Sequence, residues 1–211
     1  MKNRTRSEST VSKSDAQRIA ILSATSRLLP RYGLQGITYR LIAKESGLSV
    51  GAIQHYFESH EDILYQTCRW GMYERLRPWN EVAQRYSDPW ERIQALLRYF
   101  FSEDHFRSRA VWWLEFCATA SRDPRLGAET PKLYAEWGDS LRKAIEDGIA
   151  SGLFRHTAPI NKTVDTILLM ISGAEVASSI NAKRMSCRHM RDLLTEYIQI
   201  ALGVARQHKG K

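Results

Sequence analysis

The sequence predicts an all-α fold of about nine helices, a three-helix N-terminal domain with a helix-turn-helix followed by a helical bundle that dimerises through its last two helices. Three observations predict it. Apolar residues recur at helical spacing along most of the chain, no run alternates with the period of a strand, and residues that start and stop helices separate the periodic stretches. The 211 residues are 43% hydrophobic, enough for one domain or for a small domain attached to a larger one.

Residues 1–13 are polar and basic and are expected to form a disordered tail. From Asp15, the positions Ile19, Leu22, Ala24, Leu28 and Leu29 mark an amphipathic helix ending at Tyr32-Gly33, where glycine suits a C-cap. Thr38 caps a short helix, Tyr39 to Glu45, stopped by Ser46-Gly47, and Ser49 caps another, Val50 to Tyr56. Ser59-His60-Glu61-Asp62 has capping-box form and opens a longer helix to about Pro78. Asp88-Pro89-Trp90-Glu91 combines an N-cap, a first-turn proline and an acid, opening a helix to about Arg107. Ala110 to Ser121 is apolar nearly all round, as an interior helix would be, and Asp123-Pro124 breaks it. Thr130-Pro131 opens a helix closed by Gly152, and the last two run from Asn161 to Asn181 and from Ser186 to Gln207. The expected division is a helix-turn-helix domain over 14–60 and a second domain over 61–211.

Composition narrows the function classes. Cys68, Cys117 and Cys187 lie far apart without ligand spacing, which suits reduced thiols in a cytoplasmic protein rather than a disulfide framework. The N-terminus lacks the apolar core of a signal peptide, and Thr166 to Ile180 is too short and polar to span a bilayer, so no membrane role is expected. Net charge is +8, and its distribution says more than its size. Residues 1–57 hold nine Lys/Arg against three Asp/Glu, while residues 58–211 hold 22 against 20. A basic segment on a near-neutral body suits a nucleic-acid partner through counterion release, or a solvated face that aids solubility.

The helix-turn-helix tips that balance. Gly47 permits the left-handed conformation that a sharp turn between two helices requires, and Leu41, Ile42, Leu48 and Ile53 supply apolar contacts between them. The second helix begins with the small residues Val50, Gly51 and Ala52, which allow close approach to DNA. The run Ile42-Ala43, Ser46 to Ile53, His55-Tyr56-Phe57, Ser59 and Asp62-Ile63-Leu64 strongly resembles the N-terminal domain of the TetR family of regulators. Trp113, Phe116, Asp123-Pro124, Tyr134, Trp137, Leu141, Gly148 and Gly152-Leu153-Phe154 are similar, more loosely, to the C-terminal domain of BetI-type repressors.

That resemblance implies a homodimeric, ligand-responsive repressor that binds a double-stranded DNA operator. It puts Ser49, Val50, Gly51, Ala52, Gln54, His55 and Tyr56 at the major groove, with Arg40 facing DNA from the preceding helix. Arginine reads guanine bidentately, Gln54 can pair with adenine or phosphate, and the Thr38, Tyr39 and Tyr56 hydroxyls suit phosphate. His60 stands where the family usually carries a phosphate-binding lysine, so that contact would be weak or pH-sensitive. Lys2, Arg4, Arg6 and Lys13 of the tail would either follow the DNA or merely solvate the chain.

The rest of the chain offers no catalytic constellation, since its six histidines are scattered and no nucleotide-binding or nucleophile motif occurs. No cofactor or metal is expected. A helical adaptor that has lost DNA binding is the alternative function. Trp113, Phe116, Tyr134 and Trp137 suggest either an aromatic core or a chamber for a small organic effector. With a carboxylate such as Glu115 nearby, the aromatic walls suit a cationic amine, though plain apolar or aromatic ligands suit the same walls. The helix from Glu61 to Pro78 would link chamber and reading head. The dimer seam is expected at Ile167, Leu168, Ile171, Gly173 and Ala177 with Leu194, Tyr197, Ile200 and Ala201, the small residues letting a partner helix come close.

Overall fold

A computed structural model describes residues 12–104, 106–155, 158–180 and 185–204. Among them are nine helices and no strand, as the hydrophobic periodicity predicted. They are α1 (Lys13–Gly36), α2 (Tyr39–Ser46), α3 (Val50–Tyr56), α4 (His60–Gln84), α5 (Pro89–Phe100), α6 (Phe106–Ala120), α7 (Pro124–Ala150), α8 (Ile160–Ser179) and α9 (Cys187–Leu202). The chain forms two compact units that divide at Gly71 and Met72, inside α4, rather than at residue 60 where α4 begins. Most of the proposed tail, residues 1–11, lies outside the described residues. Its last two residues are already structural, because the Ser12 hydroxyl accepts from the Asp15 N–H and α1 starts at Lys13.

In the first unit α1 packs on α2, and α2 on α3. Ile21, Leu29, Ile42, Ile53 and Ile63 are wholly buried there. Gly33 has a positive φ of 62°, so the expected helix stop is a kink, and α1 resumes for one more turn to Gly36. Between α2 and α3, Gly47 takes φ 72° as the left-handed C-cap, the conformation read from its place in the sequence.

In the second unit α8 packs against α6 and α7, α5 against α7, and α9 against α8 and α5. Boundaries of α5, α6, α7 and α9 differ from the sequence expectation, α9 stopping at Leu202 rather than Gln207 because Gly203 takes φ 61° as a left-handed C-cap. Phe100, Phe101 and Phe106 cluster with ring centroids 5.2–5.5 Å apart, and this corner ends α5 and starts α6 earlier than expected. Asp123 and Pro124 do not merely break α6. The Asp123 carboxylate accepts from the Arg125 N–H and Pro124 occupies the first turn, so α7 starts there. Pro131 therefore sits inside α7, where buried Leu126 and Leu133 on either side of it hold the helix to the core. Pro78 is likewise inside α4 rather than at its end.

Gly148 on α7 shows why glycine is required at one crossing. A Cβ there would lie 2.1 Å from the Phe154 ring, and Phe154 is buried edge-on to Trp90 at 6.5 Å.

Candidate functional site

The first unit presents a helix-turn-helix whose reading face is left over after internal bonding is complete. The Thr38 hydroxyl caps α2 through the Leu41 N–H at 3.3 Å, and the Ser49 hydroxyl caps α3 through the Ala52 N–H at 3.1 Å. Ile53 points inward, so the opposite side of α3 turns outward with Gly51, Gln54 and His55 exposed and Val50, Ala52 and Tyr56 half-buried. Arg40 is exposed on α2 and has no ion-pair partner among the described residues. Its guanidinium is thus uncommitted, unlike that of Arg27, which bonds Glu45 at 2.8 Å and ties α1 to α2.

Two expected phosphate ligands are placed differently from a plain surface contact. The Tyr56 hydroxyl donates to the Gln17 side chain on α1. Its single proton already serves the domain, so reaching a phosphate would require exchanging that bond. His60 at the start of α4 packs on the Tyr39 ring at 5.2 Å, with its Nε2 buried and lacking a hydrogen-bond partner among the described residues. Missing from the sequence reading was Arg18. Its guanidinium donates to the Tyr56 carbonyl at 3.3 Å and to Gln66, and lies 4.9 Å from the Phe57 ring centroid. One side chain thereby joins α1, the end of α3 and α4. An arginine among polar neighbours on a helix gave no sign of this in sequence.

In the second unit the four expected aromatics form one cluster. Trp113 lies 5.2 Å from Phe116, 5.8 Å from Tyr134 and 5.2 Å from Trp137, centroid to centroid. The cluster separates two spaces rather than enclosing one. On one side is a groove of about 860 Å³ along α6, α7 and α8, to which Phe116 and Tyr134 contribute. Cys117 also lines it, and burial pushes that thiol up to about 11, out of the reactive range. On the other side is a small chamber of about 50 Å³ lined by Trp113 and Trp137, together with Arg75, Trp79, Tyr99, Phe100, Arg109 and Glu175. Glu115 lines neither space. The chamber carboxyl is Glu175, only 6% exposed, which burial pushes up to about 8 although Arg75 and Arg109 both pull it down. It sits in the apolar run Thr166 to Ile180, and nothing in sequence marked Arg75 or Arg109 as its neighbours.

The expected dimer seam is split by its own geometry. Ile167, Leu168, Ile171 and Leu194 are buried within the protomer's own core. Ala177, Tyr197 and Ala201 are half-buried, while Gly173 and Ile200 face outward. The exposed apolar residues on these helices are Leu169 (70%), Val176 (45%) and Ile180 (72%) on α8 and Leu193 (45%) and Ile200 (71%) on α9. Sequence periodicity found the two helices, and the residues expected at the seam fall partly on their buried and partly on their outward faces. Both faces of α8 are apolar, so spacing alone could not separate them.

A helix-turn-helix with an unspent outer face, followed in the chain by an all-helical unit with an internal chamber, defines the class of helix-turn-helix transcription regulators. Comparison with known proteins agrees. Residues 21–66 match the model of the bacterial regulatory proteins of the tetR family, and residues 89–203 match that of the BetI-type transcriptional repressor C-terminal domain. The chain belongs to the TetR family, with a BetI-type C-terminal domain. Among curated relatives, the HTH-type transcriptional regulator BetI of Agrobacterium fabrum is 25% identical over 189 residues, covering 88% of each chain. BetI of Rhizobium meliloti is 27% identical over 191 residues, covering 88% of this chain and 89% of its own. Among solved structures, a regulator from Saccharomonospora viridis in complex with choline shares the fold, with a TM-score of 0.79 at 23% identity over 89% of this chain and 97% of its own. Among the described residues no helix is long and apolar enough to cross a membrane, and no three His, Cys, Asp or Glu side chains gather as a metal site would need.

Proposed function

We propose that this regulator is a repressor that binds a pseudo-palindromic operator as a homodimer and leaves it when a small organic molecule occupies the chamber beside Trp113 and Trp137. The observation that carries the DNA half is the reading face itself: Arg40, Gly51, Gln54 and His55 are exposed while the capping hydroxyls and Ile53 complete the domain's own packing. Arg40 is the base reader in this proposal, and Gln54 pairs with adenine or phosphate. Thr38, Tyr39 and His60 lie beside that face and would set the register on the backbone.

The dimer half rests on the exposed seam. Leu169, Gly173, Val176 and Ile180 follow steps of four and three residues, as do Leu193, Tyr197 and Ile200, the spacing by which helices pack side by side. A Cβ on Gly173 would meet nothing within 4 Å, so this position leaves room for a partner helix. Two helices from each copy would form an isologous four-helix interface.

The effector half is supported by the chamber and by the occupied relative, since the Saccharomonospora viridis regulator holds choline and the fold neighbour FadR of Bacillus subtilis holds stearoyl-CoA. A ligand releases DNA only by favouring the conformation that binds DNA poorly, because equal affinity for both states shifts nothing. Helix α4 carries His60 at one end and Arg75 and Trp79 of the chamber wall further along, so occupancy would act through it. Footprinting on the DNA flanking the gene should show a protected site with dyad symmetry that an effector erases. An absence of any protected site, with the chain folded and dimeric, would instead favour a helical adaptor without DNA binding.

A further inference from the structure

The chamber has a charge pattern that selects among ligands. Its walls are aromatic, with Trp79, Tyr99, Phe100, Trp113 and Trp137, but two guanidiniums and a single carboxyl line it. Both guanidiniums are held in place by rings. Arg75 lies with its guanidinium carbon 3.6 Å from the Trp112 ring centroid. That of Arg109 is 5.7 Å from Tyr99 and 6.0 Å from Phe100, and one of its N–H groups donates to the Phe100 carbonyl. Arg109 carries five donors, so stacking and one backbone bond leave donors for a planar acceptor, while Arg75 adds a second positive charge to the wall. The space is about 50 Å³ open to the centre of a water molecule, room for about four waters at roughly 10–15 Å³ each. That is about the room of one ring with a small substituent.

We propose that the chamber takes a small organic anion, a monocarboxylate on a flat ring, with its carboxylate on Arg109 beside the positive charge of Arg75 and its ring against Trp113 and Trp137. This rests on the chamber reading above and gives the effector its chemical class. An anion brought out of water needs fixed positive partners, which these guanidiniums supply, whereas a cation would meet two like charges. Glu175 strengthens the preference. Being largely protonated at neutral pH, it offers the ligand an O–H donor rather than a competing charge.

A pH dependence of known sign follows. The groups facing Glu175 are Arg75 from α4, Tyr99 from α5, Arg109 and Cys117 from α6 and Tyr134 from α7, with Cys187 of α9 beyond Arg109. Burial raises Tyr99, Cys117, Tyr134 and Cys187 from their ordinary values, and the arginines stay cationic, so Glu175 is the group that ionises as pH rises through about 8. Its charge then opposes a bound anion and would attract a cation.

The test uses the full chain and three probes that share one ring, benzoate, benzamide and benzyltrimethylammonium, followed by tryptophan fluorescence and calorimetry. At pH 7 benzoate should bind about 10- to 100-fold more tightly than benzamide, the effect of charge-assisted hydrogen bonds, with the quaternary cation weakest. Arg109→Gln should abolish the preference for benzoate while benzamide binding persists. Benzoate affinity should fall as pH rises through about 8 in the native chain and stay level in Glu175→Gln. Should Arg109→Gln fail to fold, the pH profiles decide, and a level profile in the native chain overturns the proposal. Tighter binding of the quaternary cation, lost in Trp137→Ala, would overturn the anion class and leave the chamber reading standing. Binding of none of the probes, or benzoate binding indifferent to both Arg109→Gln and Trp137→Ala, would take down both. Benzoate bound with the stated preference but without operator release would keep the anion class and remove the release mechanism.

Discussion

Single residues decide what this chain can read and what it can hold. Arg40→Ala should cost about 1–3 kcal/mol of operator binding and relax specificity at one base position, measurable by band shifts on single-base variants of the site. Tyr56→Phe removes the bond from its hydroxyl to Gln17 and should lower the melting temperature slightly, and a uniform weakening on all DNA sequences would show that this bond is exchanged for one to phosphate. Gly148→Ala would push a methyl group into the Phe154 ring, so thermal unfolding should show a loss of about 1–3 kcal/mol. Glu175 gives a pH signature of its own. Its folded value of about 8 lies above the ordinary carboxyl value of 4.5, so its contribution is complete at low pH and declines as pH rises toward 8. Glu175→Gln should therefore melt higher than the native chain at pH 9 and differ little at pH 5. Residue roles were legible where they depended on near neighbours, as with Thr38, Ser49 and Gly47. Arg18, Arg75 and Arg109 act across helices far apart in the chain, and no local pattern distinguishes such an arginine from a surface one.

At the scale of elements, the short helices α2 and α3 were read to within a residue, because their caps and turn are set by local chemistry. The long helices were read less well. A proline normally marks a first turn or a stop, but Pro131 and Pro78 lie inside α7 and α4, where packing along the rest of the helix outweighs one missing hydrogen bond. The aromatic corner at Phe100, Phe101 and Phe106 is a tertiary feature, and so α5 ended sooner than its periodicity suggested. The same limit applied to α8, whose inner and outer faces are both apolar. Ile200→Glu tests the outer assignment, since Ile200 is 71% exposed and the change should leave the protomer folded by circular dichroism. Sedimentation should then show a monomer, a buried unpaired charge costing several kcal/mol at an interface. Leu194→Glu should behave differently and unfold the protomer itself, because Leu194 is 2% exposed.

At the scale of the whole molecule, the proposed dimer turns two reading heads into one specific reader. Two-fold symmetry requires two half-sites whose centres are about 34–36 Å apart, or a multiple of that, so inserting about half a helical turn of DNA between them should abolish tight binding. A single half-site should retain only weak, salt-sensitive affinity. The fold class was legible from periodicity and punctuation, and the family from the residues of the turn. The charges of the chamber were not, since three separate helices bring Arg75, Arg109 and Glu175 to one cavity.

The exposed leucines and isoleucines of α8 and α9 have a consequence for gene dosage. On the dimer reading, a scarce protomer is an incomplete molecule that holds no operator well, and occupancy climbs with roughly the square of its abundance until pairs dominate. Newly made chains would therefore silence nothing until their number passed a threshold. Repression would switch on abruptly, and dilution of the protein during growth would lift it as surely as an effector does.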